Sequence, residues 1–174
     1  MPETAERKPF EIYRASDERD YGEHNIQEMV DLQPEAIAAL SQFAHEPDRA
    51  GSKVTLAYAR PGFSLTKVWF KSGYPLPLHS HANGCLYYIT AGSIRIGEDV
   101  LGVGDGFFVD KDVPYTYETG PEGVEVLEFR STDQLNIRFR ANTEKSWTKL
   151  VERENARQEA WATEKRPSEV AARG

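Results

Sequence analysis

Hydrophobic and polar positions change pattern along the chain, and the longest pattern is that of short β-strands. From Lys53 to Arg140, runs rich in Val, Ile, Tyr, Phe and Thr are separated by turn signals such as Pro-Gly, Ser-Gly, Ala-Gly and Gly-Pro-Glu-Gly. Many short strands at regular spacing are typical of an all-β sandwich or barrel, and the intervals leave no room for the crossover helices of a parallel sheet. The runs predicted as strands are VTLAYAR, FSLTKVWF, CLYYIT, SIRIG, GFFV, YTYET, VEVLEF and LNIRFR.

A helix is predicted before this β region. Residues 1 to about 24 are polar and irregular, and the segment LQPEAIAALSQFAHEP follows them. Pro34 suits a first helical turn, apolar residues recur at three-to-four spacing, and Pro47 ends the pattern. We expect an amphipathic helix packed on the outside of the β region.

A second helix is predicted after the β region. Beyond Asn142 the charge density rises, and TEKSWTKLVERENARQEAWATEKR carries Trp147 on an apolar helical stripe, with Trp161 further on. This helix is expected to dock on the β region or on a partner subunit, and because sheet edges need covering we predict a homodimer. Residues from Pro167 onward are predicted to form a frayed tail.

Length, charge and cysteine content limit the classes of function. The 174 residues suffice for one domain with a proper core, and the formal net charge of -7 disfavours nucleic acids and anionic membranes as partners. The single cysteine excludes an internal disulfide and a multi-cysteine zinc site. No apolar run approaches the ~20 residues that span a bilayer, and the N-terminal segment lacks the apolar core of a secretory signal. A cytoplasmic protein with a small-molecule partner is therefore predicted.

The stretch PLHSHANGCLYYITAG contains the candidate chemistry. His79 and His81 are two residues apart, so on a strand they point to the same face, with Cβ atoms about 6–7 Å apart. Two imidazoles so placed can converge on one metal ion, with metal–nitrogen bonds of ~2.0–2.1 Å for zinc. The alternative is a hydrogen-bonded histidine pair that lines a metal-free pocket.

The spacing around these histidines resembles the first signature of the cupin superfamily. Five residues separate Gly73 from His79, and the His-x-His pair is followed at the family's spacing by Cys85 and then Gly92. Cys85 stands where the family has a glutamate. A cupin-type jelly-roll β-barrel at residues 53–140 is implied, with a one-helix N-terminal extension at 1–52 and a C-terminal helix and tail at 141–174.

The second signature of the family is present only as a frame. Gly104 begins it at the right spacing, but Asp110, Asp112 and Tyr115 stand in place of the family's proline, glycine and histidine. Tyr115, at the position of the third histidine ligand, is the candidate catalytic residue. Its phenol is open to three roles: weak metal ligation, hydrogen bonding to bound substrate, and general acid or base catalysis.

The resemblance implies that His79 and His81 bind a divalent transition metal, with Fe, Zn, Mn, Ni and Cu all open. A usual cupin adds a glutamate and a third histidine, but His24 and His45 lie outside the β region. Cys85 is the candidate third ligand because a thiolate binds zinc, copper or iron well. The alternatives for Cys85 are a small, inert, buried thiol and a thiol that takes part in covalent chemistry.

Further side chains are expected to line the same cavity. In GVEVLEFR, Glu128 faces inward if Val124 and Val126 do, whereas Glu125 faces inward if Leu127 and Phe129 do, and periodicity leaves both open. The predicted lining consists of Tyr87, Tyr117, Phe70 and Glu128, with Trp69, Phe107 and Phe108 as additional aromatic residues.

Two hypotheses of function follow. The first is a small metal-dependent cupin enzyme, dioxygenase-like, acting on a small organic substrate in the barrel cavity. The second is a non-catalytic cupin that binds a small ligand or metabolite, which the loss of two usual metal ligands favours. Fold alone does not decide between them.

Overall fold

The computed structural model describes residues 9–24, 26–43, 46–140 and 143–172, and β-strands dominate it. The strands are β1 (Arg19–Asp20), β2 (Glu28–Met29), β3 (Ser52–Arg60), β4 (Phe63–Phe70), β5 (His79–Ser80), β6 (Cys85–Ile96), β7 (Asp99–Leu101), β8 (Gly106–Val109), β9 (Glu118–Arg130) and β10 (Asn136–Phe139). The helices are α1 (Tyr21–His24), α2 (Pro34–Leu40), α3 (Glu144–Asn155), α4 (Gln158–Trp161) and α5 (Pro167–Ala171), with a 3-10 turn at Ala15–Asp17.

The strands form one large and one small sheet. The large sheet is antiparallel, in the order β1-β3-β4-β9-β6-β7, and β8 also pairs with β6. In the small sheet, β10 pairs with β2 in parallel and with β5 in antiparallel orientation. The prediction of an all-β fold with flanking helices is therefore confirmed. The N-terminal segment adds β1 and β2 to these sheets, although its polar residues show no strand pattern.

Alternation along the strands gives the large sheet a buried face, which we call the interior. On β4 the residues Ser64, Thr66, Val68 and Phe70 are buried, and their neighbours in sequence are less buried. Each of these residues pairs with an inward-facing residue on the neighbouring strand, so the buried side chains form rows across the sheet. Val68 lies opposite Val126, and this row is the first of the apolar part of the interior.

Two adjacent rows make the other part of the interior polar. One row runs from Ser64 on β4 to Arg130 on β9 and Cys85 on β6. The next row runs from Thr66 to Glu128 and Tyr87 on the same three strands, which places hydrogen-bonding side chains and a thiol side by side.

Some predicted turns are irregularities inside long strands. CLYYIT and SIRIG form the single strand β6, whose register with β9 shifts on either side of the Ala-Gly pair. Gly92 has φ +73, and a Cβ there would lie 2.2 Å from the carbonyl oxygen of Gly123, so only glycine fits this close approach. YTYET, predicted as a strand, is paired in the large sheet only from Glu118 onward.

The helices α2 and α3 pack against each other in a second buried cluster, around Ala36, Ala39 and Trp147. α2 ends at Leu40, earlier than Pro47 predicts. The side chains of Ser41 and Gln42 donate hydrogen bonds to the carbonyl oxygen of Ala38, at 2.9 and 2.8 Å. They compete for this acceptor with the backbone N–H that would continue the helix. Among the described residues, no helix has the length and apolar character needed to cross a membrane.

The C-terminal segment docks on its own chain as three short helices instead of one. Trp161 is fully buried, and its indole N–H donates to the carbonyl oxygen of Ser72 at 3.0 Å. Trp147 is only 2% exposed. Both tryptophans that motivated the homodimer are thus covered within this chain, and the homodimer stays a prediction. Pro167 begins α5, where a frayed tail was predicted.

Candidate functional site

His79 and His81 are buried, and both imidazoles are held in the same tautomer. Nδ1 of His79 lies 2.7 Å from the carbonyl oxygen of Pro77, and Nδ1 of His81 lies 2.5 Å from that of Asn136. Because a carbonyl oxygen only accepts hydrogen bonds, each Nδ1 carries the hydrogen and each Nε2 presents a lone pair. With ring centroids 5.0 Å apart, the histidines form a preorganised pair of acceptor nitrogens.

Both Nε2 atoms approach the phenol oxygen of Tyr115. The distances are 2.7 Å from His79 and 3.1 Å from His81, and the hydroxyl of Tyr87 bonds to the same oxygen. Reciprocal backbone hydrogen bonds of 3.1 and 2.9 Å hold Tyr115 directly opposite His79. The structure thus brings Tyr115, placed by sequence at the third-histidine position, into contact with both imidazoles.

The hydrogen count in this cluster leaves one acceptor without a donor. Three contacts meet at the Tyr115 oxygen, from two Nε2 atoms and the Tyr87 hydroxyl. The Tyr87 hydroxyl donates its hydrogen to the Tyr115 oxygen, and the Tyr115 hydroxyl can donate its own hydrogen to only one Nε2 atom. Among the described residues, the other Nε2 atom has no further donor. A buried acceptor left unpaired costs about 1–3 kcal/mol. A cation bound between the imidazoles would remove that cost, and in this respect His79 and His81 fit a metal ion.

Protonation states in the cluster follow mainly from burial. Burial lowers the pKa of His79 to about 4, assisted by the neighbouring His81, and lowers the pKa of His81 to about 4, assisted by Arg130. Burial also raises the pKa of Tyr115 far above that of an ordinary phenol. At neutral pH the imidazoles are therefore neutral, which is the form that binds metals, and the phenol keeps its proton.

Cys85 faces the interior, beside the buried Arg130. It is 1% exposed and lies opposite Arg130, and burial raises the pKa of its thiol to about 12 despite the opposing effect of Arg130. Within the described ranges, no three His, Cys, Asp or Glu side chains form a group able to hold a metal ion. Ligation by Cys85 stays a prediction.

The alternative between Glu125 and Glu128 has a clear structural answer. Glu128 is 8% exposed and faces inward, whereas the Glu125 carboxylate lies outside and accepts from Arg166 and from the Ser168 N–H, both at 2.9 Å. Glu128 accepts from Nη1 of Arg130 at 2.7 Å, and Arg130 is itself only 4% exposed. Burial acts to lower the pKa of Arg130, but Glu128 more than offsets it and raises the pKa, so Arg130 is a permanent buried cation.

The predicted lining aromatics Tyr87, Tyr117 and Phe70 are all buried in the interior. Tyr87 stacks on Phe107 with ring centroids 4.4 Å apart, and Tyr117 packs against Phe70 with centroids 6.1 Å apart. These rings pack in the apolar part of the interior, and their lining of a ligand cavity stays a prediction.

The prediction that Trp69 and Phe108 line the cavity was wrong. Phe108 is 63% exposed, and Trp69 packs on the outer face with the Arg166 guanidinium 4.8 Å from its ring centroid. Their strand neighbours take the inward positions, because consecutive strand residues point to opposite faces. His24 is exposed on α1, and His45 lies outside the described residues.

Several interior polar residues were missed by sequence reasoning. Arg130 has the same strand parity as Glu128, so GVEVLEFR contained a usable signal for it. Ser64 and Thr66 join the site only through the β4–β9 register. Tyr21 comes from α1, where its hydroxyl lies 2.8 Å from Oγ1 of Thr66 and burial raises its pKa to about 12.

Asp112 supports the backbone next to His81. Asp112, at the glycine position, has φ +60, and its N–H donates to the carbonyl oxygen of His81 at 2.7 Å. Aspartate is one of the few side chains that tolerate this left-handed region. This left-handed aspartate therefore lets the backbone hydrogen-bond to His81.

Comparison with known proteins found distant structural similarities. No protein-family model and no curated protein matches the chain. It is similar to an RmlC-like cupin from Shewanella frigidimarina, with 23% identity over 47% of this chain and 77% of that chain, at a TM-score of 0.43. It is also similar to the polyketide cyclase RemF from Streptomyces resistomycificus, with 18% identity over 60% and 81% of the two chains, at a TM-score of 0.48.

Oxalate decarboxylase of Bacillus subtilis is a further similar structure. The identity is 22% over 48% of this chain and 26% of that one, at a TM-score of 0.44. Likeness at this level says nothing about the chemistry of the site.

Proposed function

We propose, from the premise that this chain has the fold of the cupin superfamily, that it is a metal-dependent enzyme acting on a small organic substrate. His79 and His81 would hold one divalent transition metal through Nε2, with Tyr115 beside it. The observation that carries the proposal is the convergence of both Nε2 lone pairs on one oxygen, at 2.7 and 3.1 Å. The reaction class we propose is dioxygenase-like oxidation.

Two imidazoles leave open coordination positions, and a metal so bound would supply Lewis acid or redox chemistry. The protein itself would fix the orientation of the two imidazoles. The carbonyl groups of Pro77 and Asn136 fix the imidazole tautomers, which is the usual role of partners behind metal-bound histidines. Third ligands available in the chain are the Tyr115 phenol and, as predicted, the Cys85 thiolate.

Tyr115 would act on substrate as a hydrogen-bond donor. Its raised pKa keeps the phenol protonated at neutral pH, and the hydrogen bond from the Tyr87 hydroxyl fixes the position of its oxygen. Stacking of Phe107 on Tyr87 limits sideways displacement of that ring and so holds the hydroxyl next to Tyr115.

A specific observation favours a second candidate, a non-catalytic cupin that binds a small ligand without metal. No group of three metal-ligating His, Cys, Asp or Glu side chains is found in the described part of the chain, and the interior carboxylate of Glu128 is engaged by Arg130. In that case the histidines and tyrosines would only hydrogen-bond the ligand.

Metal analysis separates the two candidates. Protein produced with Fe, Zn, Mn, Ni and Cu in turn should retain about one ion of its preferred metal per chain. The double variant His79→Ala/His81→Ala should retain none, and the exposed-histidine control His24→Ala should match wild type. Retention of no metal by the wild-type protein under any of the five conditions rules out the metal centre.

Two further variants assign roles within the centre. Cys85→Ser should lower metal occupancy if sulfur is a ligand and leave it intact if the thiol only fills space. Tyr115→Phe should keep the metal but reduce oxygen uptake by the iron-loaded protein in the presence of substrate. Unchanged turnover of Tyr115→Phe would remove Tyr115 from the reaction.

A further inference from the structure

We propose that the polar part of the interior, at Arg130 and Ser64, binds the carboxylate group of the protein's small-molecule ligand. The proposal deepens the function above by naming the ligand class, and it rests on that function only in placing the ligand in the same interior.

Ser64 is the first observation. It is fully buried, and its hydroxyl oxygen has no hydrogen-bond partner among the described residues. It lies on the buried face of β4, directly opposite Arg130 on β9. A buried hydroxyl without a partner costs stability, and a ligand oxygen at this place would satisfy it.

Arg130 is the second observation. A guanidinium has five N–H donors, and the bond that the described residues provide for this side chain engages Nη1 with Glu128. That bond fixes the orientation of the guanidinium and leaves the other donors for an acceptor-rich group. The planar fork of arginine matches the two oxygens of a carboxylate.

The donors of the site select an acceptor group over a cation. Glu128 engages Nη1 of Arg130, which leaves the remaining guanidinium N–H groups and the Ser64 hydroxyl as donors. The two acceptor oxygens of a carboxylate complement this arrangement.

Arg130 is reached from the protein surface. An open pocket of about 400 Å³ has Arg130 in its wall, together with the exposed residues Gly62, Phe108 and Asp110, and Ser64 lies behind Arg130 outside the lining of this pocket. On the other side of Arg130, the next interior row contains Tyr87, whose hydroxyl contacts Tyr115. A carboxylate held at Arg130 would direct the rest of the ligand toward Tyr115.

The test uses the full chain stripped of metal by a chelator. Calorimetry and ligand-observed NMR measure binding of formate, acetate, oxalate, succinate and benzoate, each beside its neutral amide. We expect at least one carboxylate to bind about tenfold or more tightly than its amide, as charged hydrogen bonds are worth ~1.5–3 kcal/mol. Ser64→Ala should weaken that carboxylate about fivefold, the effect of one hydrogen bond of ~1 kcal/mol.

The double variant Arg130→Met/Glu128→Gln removes both charges together, so that no unpaired charge remains buried. It should lose the preference for carboxylate over amide, whereas the exposed ion-pair control Arg95→Met/Glu118→Gln should keep it. Absence of a preference for any carboxylate of the panel in wild type overturns the proposal, as does a double variant that binds like wild type. If the double variant does not fold, unchanged affinity of Ser64→Ala overturns it.

The outcome is independent of the metal test. Carboxylate binding is measured without metal and again on His79→Ala/His81→Ala, so a protein that binds no metal can still show the preference. A protein that binds metal but prefers no carboxylate keeps the proposed function and loses only this inference.

Discussion

Replacing Gly92 by alanine tests whether the close strand approach at the β6 bulge is required for the fold. Gly92 has φ +73, and a Cβ would lie 2.2 Å from the carbonyl oxygen of Gly123. Both strands are central in the large sheet, so neither can move away without disturbing its other neighbours. We expect the free energy of unfolding of Gly92→Ala to fall strongly.

The size of the effect can be worked out from two contributions. A left-handed conformation costs an alanine about 1–2 kcal/mol. Forcing an extra carbon into a packed position costs a further ~1–3 kcal/mol. The sum of about 2–5 kcal/mol is a large share of the ~5–15 kcal/mol that stabilises a typical domain.

Two other glycines of the chain separate these contributions in the same assay, urea unfolding followed by circular dichroism. Gly97 has φ +60, and no atom lies within 4 Å of the place that a Cβ would take, so Gly97→Ala should show only the conformational cost. Gly102 is outside the left-handed region and also has open space, so Gly102→Ala should be neutral or stabilising by ~0.4–1 kcal/mol. If Gly92→Ala loses no more stability than Gly97→Ala, the close-approach argument fails.

Three further outcomes are expected. Trp161→Ala should lower the free energy of unfolding by about 3–5 kcal/mol, because it empties a fully buried site, and urea unfolding measures this. Burial alone would raise the pKa of Glu125, but hydrogen bonds from Ser168 and Arg166 outweigh it and lower the pKa. The stabilisation by Glu125 is therefore present above the unfolded pKa of ~4.3 and is lost as the pH falls through the lower folded value. The free energy of unfolding, measured through an acid titration, should depend less on pH in Glu125→Gln than in wild type. Asn136→Ala removes the side-chain acceptor of a loop N–H at 2.9 Å directly after the histidine pair, and metal analysis should show reduced occupancy.

Matched comparisons make these outcomes decisive. Tyr88→Ala, at a 45% exposed position on the sheet, should cost much less than Trp161→Ala, and equal losses would contradict the docking of the C-terminal segment. If the free energy of unfolding of Glu125→Gln has the same acid pH dependence as that of wild type, the ionisation of Glu125 is not linked to stability. Full metal occupancy in Asn136→Ala would show that the loop needs no support from this side chain.

The sequence by itself determined most of the β-strands and the position of the histidine pair. VTLAYAR and FSLTKVWF became β3 and β4, because branched and aromatic residues in alternation specify a half-buried strand locally. The His-x-His spacing placed both imidazoles on one side, since strand parity is also local. Parity limited the inward carboxylate to two choices, and the same reasoning applied to Arg130 would have found it.

Only the tertiary structure decided which of these side chains meet. The opposition of Ser64 and Arg130, the contact of Tyr115 with both imidazoles and the burial of Trp161 all join segments far apart in sequence. Register between distant strands depends on the packing of the whole buried face and on bulges such as that at Gly92, and a one-residue slip would turn every side chain to the other face. Local periodicity contains no information about that register, so the site as a chemical arrangement exists only in the folded chain.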